Sequence, residues 1–548
     1  MYDYVIVGAG SAGCVLAARL TEDPSTRVLL VEAGPPDDAD QIHIPGGINL
    51  LFKSTYDWDY QTVPQERAAG RSIYLPRGRT LGGSSSINTM IYIRGSRYDY
   101  DTWRDEYGCV GWGYAELLPY FLRAEDNSRG ASEYHGAGGP LAVEDLRYKS
   151  ALARVFVDAG KAFGIAPNND FNGRRQDGVG FYQVTQRRGR RWSTADAYLR
   201  PAMMRPNLTV QSDALVTRIV FEGSRAAGIS YLRRGKEEFA RAEHEVILAA
   251  GAIGSPQLLM LSGVGPADHL RSYDIDVVAD SPGVGGNLSD HPVVAVMWHT
   301  PKVRGLWEQA GPANLMRWQL LHRGPYVTNV VEAGGFTRSD ATLPAPDIQW
   351  HALPSPLENH GLGDPRRRVL SLLIAGVAVK SRGRIRLRSG DPRHKPDIDP
   401  AYLSDGTDIE PLVKGIQLAR EIAGCRPMAK TCRGEISPGD DVRTEAELRV
   451  FVRKDLGTLH HPVGTCAMGG DSRLVASRIT SVVDVELRVR GVDGLRVVDA
   501  SVMPTVTRGN TNAPTIAIAE RAADLIAGRA ALGPVDPATG QQARLVAG

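Results

Sequence analysis

Six residues near the amino terminus, Gly8-Ala9-Gly10-Ser11-Ala12-Gly13, have the types and spacing of a phosphate-binding turn. Gly8 permits the tight turn, Gly10 lets the backbone approach a pyrophosphate, and Gly13 lets the following helix pack close. Ser11 and Ala12 would open that helix, where unpaired N–H groups and the dipole favour an anion. Glu32-Ala33 lies about twenty residues further on, where a carboxylate can accept hydrogen bonds from ribose hydroxyls. Together these residues point to dinucleotide binding; the alternative is a glycine turn in an ordinary α/β domain. The motif does not separate NAD from FAD. A second loop, Arg77-Gly78-Arg79-Thr80-Leu81-Gly82-Gly83-Ser84-Ser85-Ser86-Ile87-Asn88, is rich in small and hydroxyl residues. Its backbone can touch a ligand, and its N–H, hydroxyl and guanidinium groups can hold phosphate or ring oxygens. The apolar residues that follow, including Met90 and Ile91, argue against a Gly/Ser linker. His460 and His461 precede Pro462 and Gly464. An imidazole titrates near neutral pH and can take and return a proton, but a histidine in such a loop is as readily structural.

The elements that must position these groups read as strand, turn and helix. Tyr4-Val5-Ile6-Val7 is a β-branched run, residues 11–20 have helical apolar spacing, and Val28-Leu29-Leu30-Val31 ends at Glu32. This is a βαβ unit. Further strands are expected at Leu215-Val216-Thr217-Arg218-Ile219, at residues 245–250, and at Gly494-Leu495-Arg496-Val497-Val498-Asp499. A closing helix is expected over residues 511–527, with Pro514 in its first turn.

Bulk properties narrow the class. A chain of 548 residues is too long for one ordinary core. Its net charge of +2 makes no case for nucleic acid or an anionic membrane surface. Five cysteines without CxxC spacing argue against a disulfide scaffold and against a metal site, so a cytoplasmic location is expected. No apolar run is long enough to span a bilayer, and no signal peptide is expected, since Tyr2-Asp3-Tyr4 leads straight into the first strand. The arginine groups at residues 187–191 and 366–368 read as solvated faces or salt-bridge partners.

The second glycine loop, continued by Asn88-Thr89-Met90-Ile91-Tyr92-Ile93-Arg94-Gly95, closely resembles the first signature of the glucose-methanol-choline (GMC) oxidoreductases. Ala250-Gly251-Ala252-Ile253-Gly254-Ser255-Pro256-Gln257-Leu258-Leu259 resembles the second. His461-Pro462-Val463-Gly464-Thr465 and Asn510-Thr511-Asn512-Ala513-Pro514 complete the resemblance, which runs over residues 4–526. It implies an α/β fold (α+β overall): a Rossmann-type FAD-binding domain plus a substrate domain whose mainly antiparallel sheet is flanked by helices. The implied FAD domain covers residues 1–150 (with a flavin lid at about 35–100), 199–292 and 471–528. The substrate domain covers 151–198 and 293–470, and 529–548 is a flexible tail.

The resemblance also implies roles. His461 is the base, and Asn510, whose amide can donate but not accept a proton at neutral pH, holds the substrate oxygen. Cofactor contacts fall on the first turn with Glu32 and Ala33, on Arg79, Gly82, Gly83, Ser84, Asn88, Met90 and Ile91, and on Val216. They continue at Ala250, Gly251, Asp499, Ala500, Thr511 and Asn512. Some members attach flavin through a histidine where this chain has Ile87, so FAD is expected to be non-covalent. Glu332, Trp350 and His460 are substrate candidates. Glu332 matches a glutamate that pairs with a quaternary ammonium in choline-oxidising members. Trp58, Trp298, Trp350 and Tyr326 are candidates for an aromatic cage.

The expected reaction is FAD-dependent oxidation of a primary alcohol to the aldehyde. A choline-type reaction on a cationic alcohol is one alternative, and a lyase of the flavin-containing hydroxynitrile type is another. The partners implied are a small-molecule alcohol and an electron acceptor, either O₂ or a quinone or dye. A homodimer is compatible with this reading, as is a peripheral place at the membrane if the acceptor is a quinone.

Overall fold

A computed structural model describes residues 1–357, 366–470 and 479–539. The chain forms two seven-stranded sheets, each with its own core. The first is built on the strand Tyr2–Val7, which pairs in parallel with Val28–Val31 on one side and with the end of Lys236–Leu248 on the other. Leu208–Gln211 and Leu495–Val497 extend it as parallel outer strands. Lys236–Leu248 is long because its first half does separate work. It forms an antiparallel meander with Ala214–Glu222 and Arg225–Arg233, while its second half enters the parallel sheet. The helix Ser11–Leu20 follows the first glycine turn as its sequence pattern requires, and it buries every residue but Ser11 and Arg19.

The second sheet is antiparallel throughout, in the order Arg433–Ser437, Pro292–His299, Val369–Gly376, Ile348–Leu353, Ala333–Thr337, Gly178–Phe181. Its central strands are covered on both faces. One face carries the helices Ala151–Phe163 and Glu410–Gly424. The other, with Ala295, Val331 and Leu373, faces the first sheet's glycine turns across a cavity. The fold class is the α/β arrangement expected.

Two expectations need amendment. Residues 529–536 are pinned, not loose: Leu532 N donates to Tyr120 Oη (3.2 Å), Val535 N to the Ala115 carbonyl (2.9 Å), and Val535 is buried. Residues 540–548 of that tail, and the boundary at Asp471, lie outside the described residues. Arg191 is not on a solvated face. It is fully buried and donates to the carbonyls of Ile42, Ser85 and Asn88, which holds the second glycine loop in place. No helix of the described residues is long and apolar enough to cross a membrane.

Candidate active site

The two glycine turns meet backbone to backbone. Gly82 N donates to the Ala9 carbonyl (2.7 Å), and a Cβ on Gly83 would lie 2.7 Å from Gly10 Cα. Beyond them opens a cavity of about 690 Å³ between the two sheets. Gly8, Gly10, Ser11 and Ala12 form one end of its wall, with Glu32 and Ala33 beside them. Gly83, Ser84, Asn88, Met90 and Ile91 continue it from the second turn. Val216, Ala250, Gly251, Asp499, Ala500, Thr511 and Asn512 close it from the later segments. Gly13 and Gly82 lie behind this wall; a Cβ on Gly13 would meet the Gly8 carbonyl at 1.9 Å, so its task is helix packing. Arg79 also stands behind the wall, bonded to the Ala33 carbonyl (3.2 Å) and stacked over Trp58.

The donor set fits a dinucleotide. The helix Ser11–Leu20 begins with no side-chain cap and no acid in its first turn, so its leading N–H groups are left to an anion. The helix Asn512–Ile526 begins in the same way, and Ser11 Oγ donates to Asn512 Oδ1 (2.7 Å), which ties the two starts together. Glu32 accepts the N–H groups of Ala9 and Gly34, both at 2.9 Å. Burial pushes its carboxyl up to about 7, against the pull of those N–H groups. Each Glu32 oxygen keeps a lone pair for a ribose hydroxyl. Asp499 accepts from Gly251 N, Ser255 Oγ and Ser501 N, so its carboxylate chiefly holds two turns against the cavity.

At the other side of the cavity His461 and Asn510 converge from segments 49 positions apart. Asn510 Nδ2 lies 3.2 Å from His461 Nε2. Gln349 Nε2 faces Asn510 Oδ1 at 3.5 Å, in keeping with this amide orientation. In it Nδ2 can only donate, which assigns a lone pair to His461 Nε2 and the proton to Nδ1. So assigned, the proton points to His291 Nδ1, 3.0 Å away. His461 is buried, and desolvation, reinforced by the nearby His291 and Arg77, keeps its pKa well below the ordinary value. It is therefore a neutral acceptor at neutral pH. Burial likewise pushes His291 down to about 3.

Asp290 fixes the two histidines from beneath. Its Oδ1 accepts the backbone N–H groups of His461 (2.7 Å) and His291 (2.8 Å), and its Oδ2 accepts Tyr402 Oη (2.6 Å) and the Thr458 hydroxyl. His460 also reaches the cavity wall. Its backbone is left-handed (φ +67°), its carbonyl accepts Arg77 Nη2 (2.6 Å), and its ring meets Phe52 edge-on. The turn at His460 directs the two adjacent imidazoles to different neighbours.

Two expected substrate residues lie elsewhere. Glu332 is fully buried outside the cavity, where it accepts Ser150 N and Thr328 Oγ1, both at 2.5 Å. It anchors the start of the helix Ala151–Phe163. Trp350 points into the helix-covered core, because alternation along Ile348–Leu353 sends Gln349, His351 and Leu353 one way and Trp350 the other. Of the expected cage residues, Trp58 lines the cavity, whereas Trp298 belongs to that same core. Asp290, His291, His351 and Gln349 were not expected at the site. The adjacent Asp290-His291 pair was visible, but nothing in its spacing linked it to His461.

Comparison with known proteins follows this geometry. The two family models described as GMC oxidoreductase match residues 2–293 and 379–519. The chain is 45% identical to an alcohol dehydrogenase [acceptor] of Pseudomonas putida, covering 98% of each. It is 44% identical to the mitochondrial choline dehydrogenase of Mus musculus, over 97% of this chain and 90% of that protein. Among solved structures, pyridoxine 4-oxidase from Mesorbium loti superposes with a TM-score of 0.86 at 34% identity, covering 97% of this chain and all of that one.

Proposed function

The chain belongs to the GMC oxidoreductase family, its cofactor is FAD, and from that premise we propose that it oxidises a primary alcohol to the aldehyde with His461 as base. The observation that carries this reading is the 3.2 Å approach of Asn510 Nδ2 to His461 Nε2 at the cavity wall. A hydroxyl oxygen about 2.8 Å from both nitrogens fits as the apex of a triangle over that base. On binding it would take over the Asn510 N–H that now meets His461 Nε2, and donate its own proton to the lone pair so released.

Bound FAD supplies the two-electron acceptor for the hydride on the substrate carbon. The protein's residues do the rest. His461 removes the hydroxyl proton, which raises electron density on the oxygen and eases hydride departure. Asn510 holds that oxygen as its charge grows. On this reading His291 holds the tautomer and Gln349 the amide orientation. We assign the first sheet and its helices to a cofactor domain (1–150, 199–292, 471–528) and the second to a substrate domain (151–198, 293–470).

A second reading, a cationic choline-type alcohol, is supported by the choline dehydrogenase relatives. On this reading the counter-charge would have to come from a carboxylate other than Glu332. Asp455, an exposed residue at the cavity wall, is the candidate. For the acceptor we favour a quinone or dye over O₂. The test is a panel of neutral and cationic alcohols, assayed with an artificial acceptor and for peroxide in parallel. Dye reduction by neutral primary alcohols with little peroxide is the expected result. Turnover of choline alone would favour the second reading, and a dye that stays oxidised with every alcohol, with no peroxide formed, would refute both.

A further inference from the structure

The helix Pro312–Leu321 presents an apolar face to solvent. Its one buried side chain, Trp318, points inward and donates to the Gly189 carbonyl (3.0 Å). Met316 and Leu320 each stand two residues from Trp318, hence about 200° around the helix on the opposite side. They are 59% and 75% exposed; Leu321, about 100° further round at the end of the helix, is 61% exposed. Just before this helix, on Leu306–Gln309, Trp307 is 55% exposed. Among the described residues Met203 and Met204 are the other adjacent pair of exposed large apolar side chains.

Cations outnumber acids in the segment that carries this face. Lys302, Arg304, Arg317 and Arg323 flank it and make no ion pair among the described residues. Arg190 lies over the Trp318 ring, 6.0 Å from its centroid. The single acid between residues 302 and 323, Glu308, is bonded to Arg368 (2.6 Å). The whole-chain charge of +2 conceals this local excess.

We propose that this face, centred on Trp307, Met316, Leu320 and Leu321, docks on an anionic lipid surface. An exposed Trp and leucines ringed by Lys and Arg are what an interfacial helix needs: apolar groups enter the headgroup boundary and the cations meet anionic headgroups. A ten-residue helix is about 15 Å long, which suits lying in the interface and not spanning it. A second copy of the chain is a poor occupant. A two-fold contact sets the same patch against itself, cation against cation, and charge is depleted from the core of such interfaces. The surface adjoins the cavity wall. The turn Pro325–Val327 after the helix packs on Pro45–Leu50, and Ile48 and Phe52 beside it line the cavity.

The test is co-sedimentation of the flavin-loaded enzyme with vesicles. Phosphatidylglycerol vesicles should carry the protein down at low salt, phosphatidylcholine vesicles much less, and high salt should release it. Leu320→Glu with Leu321→Glu should abolish binding. Arg317→Gln with Arg323→Gln should weaken it by roughly fivefold per cation. All these side chains are exposed, so flavin absorbance and turnover with a soluble acceptor should match the parent. As a readout free of variants, amide exchange over residues 306–321 should slow on phosphatidylglycerol vesicles. No sedimentation with those vesicles at low salt, or sedimentation indifferent to the Leu320 and Leu321 changes, overturns the proposal. So does a dimer that those changes dissociate in the absence of vesicle binding.

Discussion

His291 Nδ1 and His461 Nδ1 lie 3.0 Å apart, and with His461 as the donor across this contact its Nε2 lone pair is left toward Asn510. Both rings are buried, so neither is charged at neutral pH. Replacing His291 with Ala would remove the acceptor and leave His461 able to adopt the other tautomer. A hydrogen bond of about 1–1.5 kcal/mol corresponds to roughly tenfold in rate. We expect His291→Ala to keep its flavin and to lose about that factor in flavin reduction, with binding little changed. An unaltered reduction rate would remove His291 from the mechanism.

His461, Asn510 and His460 separate by stopped-flow flavin reduction under anaerobic conditions. Loss of a positioned base costs roughly 10²–10⁴-fold, and loss of one oxyanion donor on the order of 10²–10³-fold. His461→Ala should therefore be slowest, Asn510→Ala less impaired, and His460→Ala mild. A crippled His460→Ala beside a normal His461→Ala would reassign the base.

Acid stability should carry a histidine signature. His351 lines the cavity, and burial pushes its pKa down to about 3, as it does for His291. A histidine with a depressed folded pKa binds its proton in the unfolded chain first. Between its ordinary value of 6.5 and about 3 it therefore removes stability as pH falls. The slope is about 1.4 kcal/mol per pH unit per histidine. Glu32, raised to about 7, acts in the opposite sense between 4.5 and 7. The clean measurement is thus a difference: urea unfolding of His351→Gln and parent from pH 7 to pH 5. The variant should lose less stability on acidification, and parallel curves would contradict a neutral buried His351.

FAD should be released by acid. Ile87 lines the cavity with its side chain packed on Ile42 and Leu51, and it has no nucleophilic atom for a flavin bond. Acid precipitation should leave the yellow colour in the supernatant; colour retained in the pellet would show a covalent link.

Glu32 should matter for loading and not for chemistry. Glu32→Ala unmakes the hydrogen bonds to Ala9 and Gly34 that shape the turn, besides removing the ribose acceptor. The purified variant should contain less FAD, while its loaded fraction should reduce at the parent rate. Full loading with an altered rate would contradict this.

What was legible in the sequence is local. The first turn depends on contacts among residues 8–13 and on a helix start next in sequence, so types and spacing suffice to read it. His461 and Asn510 were legible as residues of two motifs, but their 3.2 Å approach belongs to the packing of segments 49 positions apart. The placement of Trp350 and Glu332 was decided only by tertiary structure. Every residue of Ile348–Leu353 is buried, because strands pair on both edges and layers cover both faces. A strand buried on both faces shows no polar alternation, so its sequence does not tell that His351 faces the cavity and Trp350 the core. Glu332 caps a helix whose start lies 182 positions away, and Arg191 holds a loop 103 positions away. In each case the partner that holds the side chain is brought back across many intervening strands and helices, and residue types at short spacing carry no record of that distance.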